Sequence, residues 1–289
     1  MNARNVGGIL GHNPRALFPI VDDKLKLIEI CQRVGVSTPA VFAVFERHGD
    51  LRHLHDALAA SPDCVIKPAR GSSGRGIVLL TGAAEGGYRR HNGSIATLRE
   101  LRQHFSDMLS GLYSLGGQPD RAIVQQRLRT HPALERISYR GTPDVRVLVY
   151  RGEPALAMLR LPTLESNGRA NLHQGGVGVG VDVETGRTTR AIWHSSTIDR
   201  HPDTGESLTG RQLPDWSAII VTAKTVARAT GLGYVGVDVV PDASAGPMVL
   251  EANARPGLAI QSANGIGLED VLKRIDAEMD RNERASQSS

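Results

Sequence analysis

The segment from Tyr234 to Gly257, YVGVDVVPDASAGPMVLEANARPG, constrains the fold more than any other part of the chain. Val235 to Val240 alternates as a strand does, Pro241-Asp242-Ala243-Ser244-Ala245-Gly246 is turn-forming, and Met248-Val249-Leu250-Glu251 reads as the returning strand. A hairpin that closes symmetrically sets Asp238 opposite Glu251, with Cα atoms roughly 4.5 to 5.5 Å apart. Asn253, two residues further on, projects from the same face. Two carboxylates and a carboxamide are hard oxygen ligands of the kind that suit Mg²⁺, which keeps several waters and completes its shell with substrate phosphates. The segment therefore points to nucleotide chemistry. The alternative is a hairpin carrying two acids on a solvated face. The flanking Val235, Val237, Val239, Val249 and Leu250 argue for burial, where a carboxylate needs a partner.

A length of 289 residues suits two compact lobes better than one large core. Lys and Arg exceed Asp and Glu by only 34 to 30, which fits an anionic ligand but supplies no basic arm for nucleic acid. Cys31 and Cys64 have no metal-ligand spacing, which argues against zinc and a disulfide framework and for a reducing compartment. Neither a signal peptide nor an apolar run of membrane-spanning length is evident, so a soluble, cytoplasmic protein is expected.

Along the chain, a loop-like opening with Gly7-Gly8 precedes a helix expected over Asp22 to Val34. A strand (Val41 to Phe45), a helix (Leu51 to Ala60) and a buried strand (Cys64 to Pro68) follow, then a glycine-rich flap (Gly71 to Gly76) and a strand (Ile77 to Thr81). Leu98 to Leu112 reads as a helix and Ala122 to Leu128 as a strand, whereas Arg129 to Pro143 reads as a connecting loop. Beyond it an antiparallel pair, Val145 to Tyr150 and Ala155 to Leu161, turns at Arg151 to Pro154. A glycine-rich loop over Asn171 to Gly180, a helix over Trp216 to Thr230 and a last helix over Leu268 to Met279 complete the pattern. The expected organisation is an amino-terminal helical and loop region (1–40), a first lobe with the flap (41–128), a second lobe with the acidic hairpin (129–280) and a disordered tail (281–289).

The flap Gly71-Ser72-Ser73-Gly74-Arg75-Gly76 can fold backbone N–H groups over phosphates, or it is a plain β-turn. It is neither a Walker sequence nor a dinucleotide fingerprint. Lys67 lies at the end of an apolar strand, where a cation needs a reason to be, and a phosphate is its natural partner. Lys24 stands at a helix start, where the dipole disfavours a cation unless an anion is near; a solvated lysine is the alternative. Asp144 and Arg146 alternate on one strand, so Arg146 can hold a carboxylate or phosphate, or the two form a surface pair. Arg169 and Asn171 open the glycine-rich stretch with His173 and Gln174, which suits a loop over a reacting group, although His173 reads equally as an exposed loop histidine.

Taken in order, Asp23-Lys24-Leu25, Val65-Ile66-Lys67-Pro68, Gly71 to Gly76, Ile123-Val124-Gln125-Gln126, Asp144-Val145-Arg146, Asn171 to Gly176, Gly236-Val237-Asp238 and Leu250 to Gly257 make the chain resemble the ATP-grasp superfamily. Within it, the chain resembles the RimK-like alpha-L-glutamate ligases and their ligase-like relatives. The resemblance implies an α+β ATP-grasp fold, two lobes clamping the nucleotide, with a truncated region ahead of them. It implies that Lys24, Lys67 and the flap at Ser72, Ser73, Gly74 and Gly76 contact ATP phosphates, that Gln125, Gln126 and the backbone of Arg127 and Leu128 hold the nucleoside, and that Asp238, Glu251 and Asn253 hold Mg²⁺, as two ions. Gln126 stands where the family commonly has an acid for the ribose. Arg146, Asn171 and Arg255 are the implied catalytic residues. The implied reaction is ADP-forming carboxylate-amine ligation through an acyl phosphate, adding glutamate or another amino acid. A phosphotransferase and a non-catalytic nucleotide-binding module are the alternatives. The expected partners are carboxylate and amine substrates, without membrane or nucleic acid; given the short stretch before Lys24, the expectation is either that the acceptor binds differently or that a second copy or partner protein completes its wall.

Overall fold

A computed structural model describes residues 11–71 and 74–287. The chain forms two compact units, one comprising residues 11–22, Lys26–Thr38 and 130–287, the other Asp23–Leu25 and Pro39–Arg129. The amino-terminal region expected as a piece of its own is thus shared out: helix α1 (Phe18–Val21) and most of α2 (Lys24–Arg33) belong to the larger unit, to whose core Val21, Leu27 and Cys31 contribute. The opening Gly7-Gly8 lies outside the described residues.

The smaller unit is built on a six-stranded antiparallel sheet of strands β1 (Val41–Phe45), β2 (Asp63–Pro68), β3 (Val78–Ala84), β4 (Gly87–Arg90), β5 (Ile95–Ala96) and β6 (Ala122–Gln126), in the order β1-β6-β2-β3-β4-β5. Helices α3 (Leu54–Ala60) and α4 (Leu98–Leu109) cover one face. Alternation decides which side chains go there: Cys64 and Ile66 of β2 join Ala122 and Val124 of β6 in the helix-side core, which turns Lys67, Ile123 and Gln125 to the other face. Thr97 starts α4 with a reciprocal cap, its hydroxyl accepting from Glu100 N and the Glu100 carboxylate from Thr97 N. The helix stops short of the expected Leu112. Gly111 has φ of 85°, and a Cβ there would stand 2.3 Å from the Gln118 carbonyl oxygen, so the chain turns where only glycine fits.

In the larger unit a short helix, α5 (Pro132–Glu135), interrupts the stretch expected as loop; the His131 ring caps it by accepting from Ala133 N. Strands β7 (Asp144–Tyr150), β8 (Glu153–Leu161), β9 (Val177–Val181), β10 (Thr188–Trp193), β11 (Ser196–Ile198), β12 (Tyr234–Asp242) and β13 (Gly246–Asn253) form a seven-stranded antiparallel sheet in the order β11-β10-β9-β8-β7-β12-β13. One face carries the valine rows of β7, β9 and β12 and packs on α6 (Trp216–Thr230) through Ile219, Ala223 and Val226. The other is covered in part by α7 (Ala259–Asn264) and α8 (Leu268–Gln287), through Ile260, Leu268, Val271 and Ile275. The β7–β8 turn needs only Arg151 and Gly152, both at positive φ, as a two-residue hairpin loop requires.

Two expectations are corrected here. Residues 177–181, read as glycine-rich loop, are a strand: Val177, Val179 and Val181 face the core, while a Cβ on Gly178 would stand 2.7 Å from Leu172 Cδ2 and one on Gly180 2.5 Å from the Ala263 carbonyl oxygen. Those glycines permit close packing, not mobility. The segment expected as a disordered tail is helical through Gln287, because α8 continues past Met279; residues 288–289 lie outside the described set.

Candidate nucleotide and metal site

Asp242 and Gly246 close the β12–β13 hairpin over a three-residue loop, with the Asp242 carboxylate accepting from the N–H groups of Ser244 and Ala245. Counting back from that turn, an unbroken ladder pairs Asp238 with Leu250. A register shift between Asp238 and Val239 removes one residue from the count and sets Asp238 against Glu251 and Gly236 against Asn253. The pairing expected from simple symmetry is thus present, but a bulge at Leu250 produces it. Pro256 then closes over Gly236, where a Cβ would meet its ring at 2.7 Å.

The three expected ligands do share one face, in the company of two arginines. Arg146 of β7, directly across the ladder from Asp238, donates from Nε to Oδ1 (2.7 Å) and from Nη2 to Oδ2 (2.6 Å). Arg160 of β8 donates from Nη2 to the same Oδ2 (2.6 Å) and from Nε to Asp144 Oδ1 (2.5 Å). Asn253 Nδ2 donates to Glu251 Oε1 (3.2 Å), and Arg146 Nη2 stands 3.8 Å from that oxygen. Asp238 is 1 % exposed, whereas the Glu251 side chain, at 36 %, forms the rim.

Burial would raise the Asp238 pKa, but Arg146 and Arg160 together outweigh it and hold the carboxyl at about 2. Burial dominates at Asp144, where Arg160 offsets it with a smaller share from Arg146 while Asp238 repels the charge, and its pKa is raised to about 6. Burial works against the Arg160 charge; Asp144 and Asp238 overcome it and raise its pKa. Three carboxylates against two guanidinium groups leave the cluster with one excess negative charge when Asp144 is ionised. This donor chemistry fits magnesium: every side chain that could ligate offers oxygen, and a carboxylate with about four lone-pair sites can accept from two guanidinium groups and still bind a cation. Among the described residues no group of three His, Cys, Asp or Glu suited to a metal ion occurs, so the set depends on the Asn253 amide and on oxygens brought by a ligand.

Arg160 is not among the residues expected from sequence. Its signal was available, since it follows Leu156 and Met158 on one face of an apolar strand, the position that singled out Lys67. The other two expected catalytic residues are engaged elsewhere. Asn171 Oδ1 accepts from His173 N as the cap of a short 3-10 turn. Arg255 stacks 5.0 Å from the Phe18 ring centroid and lies 3.6 Å from Asp22.

In the smaller unit Lys24 and Lys67 are both buried. Lys24 begins α2 and donates from Nζ to the Gly71 carbonyl at the root of the flap (2.8 Å), while its own N–H reaches Ala69 O. The preceding Asp23 accepts from Leu25 N, Arg70 and Arg121, which fixes the helix start against the end of β2. Gly74 and Gly76 have φ of 71° and 75°, and a Cβ on Gly76 would press into the Tyr113 ring at 2.7 Å. Ser72 and Ser73 lie outside the described residues. Gln125 donates to Pro39 O (2.8 Å) and the Gln126 side chain accepts from Ala40 N (3.1 Å), so both amides tie β6 to the segment leading into β1. Arg127 forms a two-point pair with Asp63, and Leu128 is buried.

A family model described as sugar-transfer associated ATP-grasp matches residues 4–277. Two curated relatives are the "Probable alpha-L-glutamate ligase 1" of Shewanella frigidimarina, 25 % identical over 267 residues, and the "Probable alpha-L-glutamate ligase" of Halorhodospira halophila, 28 % identical over 264. These alignments cover 92 % and 91 % of this chain but only 65 % and 64 % of the relatives, so the chain spans a little under two thirds of their length. Among solved structures, the RimK domain ATP-grasp protein of Sphaerobacter thermophilus superposes with a TM-score of 0.50 at 16 % identity, over 90 % of this chain and 69 % of that one. That likeness concerns the fold, and it agrees with the two α+β units described above. The match across 4–277 settles the membership: the chain belongs to the sugar-transfer-associated ATP-grasp family.

Proposed function

We propose that this protein is an ATP-dependent, ADP-forming carboxylate-amine ligase. The observation that carries the reading is the convergence of Asp238, Glu251 and Asn253 on one face, with two arginines bound to the buried carboxylate. A donor carboxylate oxygen attacks the γ-phosphorus of ATP, the bond to the β-phosphate oxygen breaks, and ADP leaves with that electron pair. The acyl phosphate is then attacked at carbon by an amine, the C–O bond to phosphate breaks, and the amine loses a proton as the amide forms.

Lys24, Lys67 and the flap amides are suited to the charge of the triphosphate. Asp238, Glu251 and Asn253 would hold magnesium, which when bound neutralises charge developing on the phosphoryl oxygens. Arg146, fixed by Asp238, is oriented to bind the acyl phosphate and the oxyanion that forms beside it. Arg160 acts through Asp238 by holding it ionised. The nucleoside would rest against the backbone at Arg127 and Leu128. The glutamate-ligase names of the relatives favour glutamate or another amino acid as one substrate.

The test is ADP release across amino acids and small diacids, each with and without hydroxylamine. A hydroxamate that depends on ATP and on one acid supports the ligase. A stable phosphoproduct without hydroxamate would mean phosphotransfer, and nucleotide binding without turnover would mean a non-catalytic module.

A further inference from the structure

The same sheet face that carries the arginine cluster holds, toward its other edge, a cavity of about 620 Å³ beneath α7, large enough for a ligand of peptide size. Its floor is apolar, from Leu172 and Ile192, and its walls bring His173, Arg190, His194 and Ser262. No carboxylate lines it. Arg190 donates from Nε (3.2 Å) and Nη2 (2.6 Å) to the Thr197 hydroxyl on β11, and among the described residues it forms no ion pair. Arg190 is exposed, and its guanidinium is held by a neutral partner with no carboxylate counter-ion among the described residues. His194, by contrast, already meets Glu165 at 3.0 Å. Gly265 admits the Arg190 Nη1 atom so closely that a Cβ would stand 3.1 Å from it.

Register ties this cavity to the site. Ile192 pairs with Gly178, and Gly178 with Arg160, so floor and cluster occupy one cross-strand row, two strand spacings apart, roughly 10 Å. Gly178 lies between them, and the side chains of Leu172, Met158 and Ile192 fill the space above it.

We infer that this cavity binds the free carboxylate of the amine-bearing substrate, an amino acid extended by at least one residue or a short peptide, with Arg190 as the carboxylate anchor. The inference rests on the ligase reading for the role of the ligand, not for its binding. A fixed, unpaired guanidinium recognises a carboxylate through its fork, and the apolar floor takes an aliphatic side chain. A cavity of about 620 Å³ takes a ligand larger than a single small amino acid.

The test is calorimetric titration of the full chain with L-alanyl-L-leucine and with its C-terminal amide, on the wild type and on Arg190→Gln. The free acid binds the wild type, and both the amide and the variant weaken binding by about tenfold or more. The comparison of acid with amide needs no variant, so a misfolded Arg190→Gln leaves the test intact. Absence of binding by the free acid, or an amide that binds the wild type as tightly as the acid, overturns the inference. Binding that persists while the hydroxylamine panel is negative refutes the ligase reading and leaves the carboxylate site standing; loss of binding with a positive panel refutes the site alone.

Discussion

Replacing Arg160 with methionine removes one guanidinium from a network that then holds Asp144 with no partner and Asp238 with Arg146 alone. The side chains of Arg160, Asp144 and Asp238 are 12 %, 7 % and 1 % exposed, so the pair is buried and leaving its partner behind costs about 3 to 5 kcal/mol at neutral pH. The cost falls in acid, because Asp144 takes up a proton. Its pKa of about 6 lies above the ordinary carboxyl value of 3.8, so the folded state binds the proton more tightly than the unfolded chain, and its contribution is present below pH 4 and lost as pH rises through 6. Asp238 runs the opposite way, its contribution being lost only as pH falls from about 4 toward 2. Arg160→Met should therefore destabilise strongly at pH 7.5 and much less at pH 5. Both tryptophans, Trp193 and Trp216, belong to the larger unit, so urea melts followed by tryptophan fluorescence in EDTA report that unit alone. A loss below about 1 kcal/mol at pH 7.5, or an equal loss at both pH values, would refute the reasoning.

Glu251→Gln keeps the shape of the rim and removes one charge, so magnesium-dependent ADP release should fall by about a hundredfold or more while the melting profile changes little; full activity would remove Glu251 from the metal set. If Lys67 holds phosphate as proposed, Lys67→Ala should weaken binding of a non-hydrolysable ATP analogue by about 10- to 100-fold in calorimetry; unchanged affinity would remove Lys67 from the nucleotide site. Asp144→Asn abolishes the carboxyl that titrates near 6, and urea melts of this variant should no longer show the fall in stability between about pH 4 and 6. Gly76→Ala combines a positive φ of 75° with a Cβ 2.7 Å from the Tyr113 ring, so limited proteolysis should cut the flap faster and turnover should slow; unchanged rates in both assays would separate the flap from the reaction.

Much of this was readable in residues. The hairpin declared itself because valine alternation, an Asp-containing turn and a returning apolar strand agree at every level. The bulge at Leu250 did not, since a one-residue slip in register has no composition of its own and is decided by which faces must be buried. Lys67 stood out as a cation in an apolar strand, and Arg160 deserved the same suspicion. Asn171 and Gln126 look chemical in sequence, yet short amides serve backbone N–H groups as readily as substrates, and only the fold tells which N–H is near. The glycines of β9 read as a loop because sequence does not reveal that α7 and Leu172 press against them. The tail failed for the reverse reason: its polar residues extend a helix whose first turns, at Leu268, Val271 and Ile275, are anchored in the core.

In the proposed reaction a carboxylate oxygen attacks phosphorus, and an isotope follows that atom. With the acid singled out by the hydroxylamine panel labelled with ¹⁸O in its carboxyl group, amide formation should leave one ¹⁸O in each phosphate released, detected by mass spectrometry or ³¹P NMR. Phosphate free of label, formed at the same rate as amide, would contradict it.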